Sequence, residues 1–181
     1  MLLEACTLFS SAVLGIFLGS QLVEAFLFLP FWKGMTANEF FDFYKRYGEG
    51  IHRFYAPLTI LATILPVVSA LIYLSSPVDR QTSVLYLILG VSTLAFFSTF
   101  FLYFKSANRR FSERSISNND LASELRRWGN WHWGRIYLEA VAFICTLFLI
   151  FWNRVYFYFS VHRNRRNSFY YNQMLSIFFE R

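Results

Sequence analysis

Charge is scarce in this sequence: Asp, Glu, Lys and Arg together make up 15% of its 181 residues, well below the roughly 25% of an average soluble domain. Cysteine is nearly absent. Cys6 and Cys145 lie in separate apolar runs, without C-x-x-C spacing or a metal-type cluster, which favours buried free thiols over a disulfide or redox pair. None of the long apolar runs alternates apolar and polar residues as a barrel strand does. The amino terminus, Met1-Leu2-Leu3-Glu4, lacks the basic start of a signal peptide, and its apolar run is too long for a cleaved core, so it is expected to be retained. An internal inverted repeat and an unwound mid-span segment are also missing, which argues against a transporter.

Apolar and aromatic residues are abundant, at 56% and 22% of the chain, with 23 phenylalanines. Ala5 to Leu29, Phe54 to Leu74, Val84 to Phe104 and Ile136 to about Phe159 each approach or exceed the roughly 20 apolar residues that carry a helix across a hydrocarbon core. The expected fold is all-α: an integral membrane, antiparallel four-helix bundle (spans 5-29, 54-74, 84-104 and 136-159) within a transmembrane domain of residues 1-160, followed by a basic, aromatic tail, 161-181. Its first partner is the lipid bilayer. Short amphipathic interfacial helices are expected over Ala37 to Tyr47 and over Leu121 to Arg127, the latter capped by Asn118-Asn119-Asp120. Pro30 is expected to end the first helix, and Gly48 and Gly50 to break the chain before the second.

A net charge of +6 raises the question of nucleic acid, but the basic residues lie mostly in loops and the tail, as juxtamembrane charge does, so no nucleic-acid partner is expected. Loops 30-50 and 105-130 carry Lys33, Lys45, Arg46, Lys105, Arg109, Arg110, Arg114, Arg126 and Arg127. The positive-inside rule therefore places them in the cytoplasm. Ser11, Gly15 and Gly19 recur at intervals of four, the small-residue spacing that brings helix backbones together, and Gly15 and Gly19 are candidates for contacts with partner membrane helices.

Polar residues inside the apolar runs mark the candidate site, because an ionisable group in a span costs about 2.5 to 3.5 kcal/mol on insertion scales. His132, Arg135 and Glu139 fall at i, i+3 and i+7 on one helical face. Threading four antiparallel helices brings that face to the same end as Gln21 and Glu24 from the first helix, His52 and Tyr55 from the second, Asn108 from the third, and Trp128 and Asn130 from the fourth. Thr59 and Thr63 continue the His52-Tyr55 stripe.

Three chemistries suit this set. A metal would draw on His52, His132, Glu24 and Glu139, although the paired Glu-x-x-His motifs of di-iron bundles do not occur. Alternatively, His132 or His52 takes a proton while Arg135 stabilises the resulting enolate or phenolate and Glu24 orients a histidine; Gln21, Tyr55, Asn108, Trp128, Asn130 and Glu139 then surround the substrate. In the third, the ionic groups pair with one another and serve structure alone. No cofactor is specified by these residues.

Trp128-x-x-x-His132-x-x-Arg135, Asn108 just after the third helix, and Gly19-Ser20-Gln21-x-x-Glu24 leading to Pro30 resemble the motifs of the DUF1772 (anthrone oxygenase-like) family of small four-helix membrane proteins, over roughly Phe17 to Phe151. His132 stands where that family often has asparagine. The resemblance implies an oxidoreductase that converts a lipophilic, anthrone-like aromatic substrate to a quinone without a cofactor. The competing expectation is a non-catalytic subunit of a larger membrane complex that binds partner helices, lipid, pigment or haem.

Overall fold

In a computed structural model, the backbone is described from residue 2 to 179 except 76 and 78, and side chains are described as far as Trp152. Four helices long and apolar enough to cross a membrane build the described chain. They are α1 (Leu2–Gly34), α2 (Ala37–Leu74), α3 (Arg80–Ser112) and α4 (Leu121–Phe179). Each packs on two neighbours: α1 against α2 and α4, α3 against α2 and α4. The short connections reverse direction each time, so this is the expected antiparallel ring of an integral membrane four-helix bundle.

The helices extend beyond the apolar runs, for identifiable local reasons. Pro30 does not end α1, which continues to Gly34. Just before the proline the helix widens into a π turn over Glu24–Phe28, where the Leu29 N–H bonds to the Glu24 carbonyl. A break in the i to i−4 ladder is the place where a residue without an N–H fits. Residues 37 to 47 are likewise no separate interfacial helix but the first turns of α2. The start is fixed by a capping box between Thr36 and Glu39, and α2 then passes through Gly48, Gly50, Pro57 and Pro66 without interruption. Each glycine costs a helix only about 1 kcal/mol, far less than leaving backbone groups unbonded in lipid. Leu121 to Arg127 is similarly continuous with α4, whose backbone stays helical to Phe179. Tail side chains, His162 and the arginines among them, lie outside the described residues.

Large apolar residues such as Phe9, Ile16, Leu61, Leu71, Val91 and Phe148 face outward, as required of a surface whose solvent is hydrocarbon. Inside, Leu14, Phe17, Ala62, Tyr86, Leu89 and Leu149 form a core toward one end. A polar knot pins three helices there: the Thr7 hydroxyl meets Ser69 Oγ at 2.8 Å and the Tyr86 hydroxyl at 3.0 Å. Tyr73 stacks on Tyr86 at 4.5 Å. At the other end Trp32, Phe40, Phe41, Phe104, Phe111 and Trp128 close an aromatic cap. Phe40 and Phe41, expected to lie in the interface, are buried in that cap.

The glycine stripe of α1 is divided. A Cβ on Gly15 would sit 3.2 Å from the Phe143 ring of α4, so this glycine serves packing within the chain, whereas Gly19 faces open space.

Candidate functional site

Beneath the aromatic cap lies a cavity of about 320 Å³ bordered by all four helices, within the range of small-molecule pockets. From α2, Tyr44, Gly48, Ile51, His52, Tyr55, Thr59 and Ile60 face it, and from α3, Phe97, Phe100, Phe101, Phe104 and Asn108. Both sets recur with helical periodicity along one face. Gln21 and Glu24 come from α1, Trp128 and Arg135 from α4. Each π turn meets the cavity: Glu24 opens the first, and Phe100 opens the second, Phe100–Phe104. Such wide turns frequently occur at functional sites.

Arg135 dominates this space. Its guanidinium carbon lies 4.6 Å from the centroid of the Phe104 ring and 4.9 Å from that of Phe96, a double cation–π clamp that holds the group in an apolar surround. Among the described residues it has no hydrogen bond and no carboxylate within ion-pair distance, and its buried Nε has no acceptor. Glu24 and Glu139 act on it only through longer-range attraction. A guanidinium carries five donors in a fixed fork, and here those donors are uncommitted.

Behind the cavity, α1 and α4 join through a buried polar seam. Gln21 Nε2 donates to Glu139 Oε2 at 2.6 Å. His132, fully buried, stacks on Trp128 at 4.8 Å and reaches the Gln21 backbone carbonyl through Nε2 at 3.0 Å. A carbonyl only accepts, so Nε2 carries the proton, and Nδ1 is left without a partner. Glu24 Oε2 lies 3.8 Å from His132 Nε2, too far for a hydrogen bond.

Of the residues expected from sequence, Gln21, Glu24, His52, Tyr55, Asn108, Trp128 and Arg135 border the cavity together. His132 and Glu139 belong to the seam behind it, and Asn130 is exposed on α4 outside the lining. Trp128 Nε1 donates to Asn108 Oδ1 at 3.1 Å, which orients the asparagine amide at the rim. The Tyr55 hydroxyl donates to the Ser20 carbonyl at 3.0 Å. His52 stands exposed at the mouth while His132 is enclosed, so the two histidines do not converge. Among the described residues no three His, Cys, Asp or Glu side chains gather as a metal site would require. Sequence reading missed the phenylalanine wall and Tyr44. The i, i+3, i+4, i+7 recurrence of Phe97, Phe100, Phe101 and Phe104, ending at Asn108, was the available signal.

Compared with protein-family models, curated proteins and solved structures, the chain matches none.

Proposed function

We propose that this membrane protein is an oxygenase of a lipophilic aromatic molecule, held in the cavity with one acceptor oxygen against Arg135. The observation that carries the reading is Arg135 itself: a clamped guanidinium with unspent donors, at the polar end of an aromatic-walled space. For an anthrone-like substrate, suggested by the sequence resemblance, the acceptor is the ring carbonyl. His52, at the mouth, removes a proton from the carbon opposite that carbonyl, and the negative charge that develops on the oxygen is stabilised by Arg135. The resulting carbanion reacts with dioxygen. In the balanced reaction anthrone plus O2 gives anthraquinone plus water: one oxygen atom is retained at the former CH2 carbon and the other leaves as water. The seam of Gln21, His132 and Glu139 holds α1 against α4 and so positions Arg135, with Glu24 attracting the guanidinium at longer range. The excess of basic residues in the loops at this end favours a cytoplasmic location for it.

The test is oxygen uptake with anthrone by the protein purified in mild detergent, measured against the uncatalysed background, with quinone followed by absorbance. Enzyme-dependent uptake matching quinone formation one to one, lost in Arg135→Gln, supports the reading. Background rates from a well-folded protein reject it in favour of a non-catalytic membrane subunit.

A further inference from the structure

The residues that border the cavity are not equally sheltered. On α1 and α4, Gln21, Glu24 and Trp128 are buried and Arg135 is partly so; on α2 and α3, Ile60 and Phe101 border the cavity and are 50% and 57% exposed. A residue that touches both the interior and the outside marks an opening. Ile60 and Phe101 lie among outward-facing apolar neighbours, Leu61 and Ile64 on α2 and Leu94 and Leu102 on α3, so this opening faces lipid rather than a polar loop. Above it α2 and α3 are closed by Tyr44 packing on Phe111, with ring centroids 5.5 Å apart. Below it they approach again, where a Cβ on Gly90 would lie 3.4 Å from the Ala70 methyl.

We infer that a lateral portal between α2 and α3, with Ile60 and Phe101 as its two lips, admits a membrane-dissolved molecule that has an apolar, planar body and one acceptor oxygen. The oxygen leads, because Arg135 lies on the far wall and carries a cationic fork whose donors have no partner among the described residues. The body stays among Phe97, Phe100 and Phe104. Such a molecule partitions into the bilayer before it meets the protein and need not cross the polar rim at His52. The inference rests on the reading that the cavity holds a lipophilic ligand, but not on any oxidation of it.

Binding kinetics of anthracene-9-carboxylate, a fluorescent tricyclic probe, to the full chain in lipid nanodiscs test the portal. Ile60→Trp and Phe101→Trp narrow it and are expected to slow association and dissociation together by about tenfold, equivalent to roughly 1.4 kcal/mol on the barrier. Phe101→Ala widens it and speeds both. Phe148→Trp, on the lipid face of α4 and away from the cavity, leaves both rates unchanged and controls for altered lipid packing. Both portal positions are outward-facing, so the variants are expected to fold, and a native-size check confirms it. Wild-type rates in all portal variants overturn the portal while leaving the cavity as a binding site. A wild-type protein that binds no probe overturns the ligand-binding reading and the portal with it.

Discussion

Gln21 donates its side-chain amide to Glu139 across the interface of α1 and α4, at 2.6 Å and out of contact with solvent. Replacing Gln21 with leucine leaves a buried carboxyl without its donor, and orphaning a buried acceptor costs about 1 to 3 kcal/mol. Gln21→Leu is therefore expected to lower the detergent-unfolding midpoint clearly. Adding Glu139→Leu should restore much of the loss, because removing both partners is far cheaper than orphaning one. Additive losses in the double variant would show that the two side chains are not energetically coupled.

Arg135 is held by ring faces, and ring faces recognise its planarity as well as its charge. Arg135→Gln should weaken binding of anthracene-9-carboxylate by about 10- to 150-fold, the equivalent of one charge-assisted hydrogen bond. Arg135→Lys should recover little of it, since an ammonium neither stacks between Phe96 and Phe104 nor presents a fork. Full rescue by lysine would mean that charge alone matters.

His52 borders the cavity whereas His132 does not. If His52 removes the proton, His52→Gln should lower kcat by about 10²- to 10⁴-fold with KM nearly unchanged. His132→Gln should act instead through thermal stability, having lost the Trp128 stack. An unaltered kcat in His52→Gln removes this residue from the mechanism.

Tyr86 and Thr7 tie α3 to α1 at the end away from the cavity. Tyr86→Phe keeps the ring on Tyr73 and deletes one hydroxyl, so a loss of about 1 kcal/mol is expected. Ligand binding should not change, a prediction that equilibrium unfolding and probe titration check side by side.

Asp79 caps α3 by accepting from the Thr82 N–H at 2.8 Å. That bond, and smaller ones from the Thr82 and Tyr73 side chains and the Gln81 N–H, hold its carboxyl below the ordinary aspartate value. A depressed folded value means the stabilisation is complete above the unfolded pKa, near 3.9, and is lost as pH falls through the folded value. Asp79→Ala should cost about 1 kcal/mol at neutral pH, and the gap from wild type should narrow in strong acid. A gap that stays constant with pH would show that the carboxylate is not the capping species.

Much of this protein could be read from its sequence. Apolar runs of membrane-spanning length fix the helices, because a backbone in lipid has no hydrogen-bond partner but itself. Alternating direction then brings Gln21, His52, Asn108 and Arg135 to one end. Helical period alone puts His52, Tyr55 and Thr59 on one face of α2. Which polar residues border the cavity and which bind one another was decided by tertiary structure. His132 and Arg135 are three residues apart, yet one is sealed against Trp128 and Gln21 while the other is clamped by Phe96 and Phe104. Their fates differ because helix rotation and the π turns set where neighbouring helices press, and that depends on side chains distant in sequence. The portal is likewise invisible in one dimension: Ile60 and Phe101 resemble any lipid-facing residues until α2 and α3 separate between Phe111 and Gly90 and expose what lies behind.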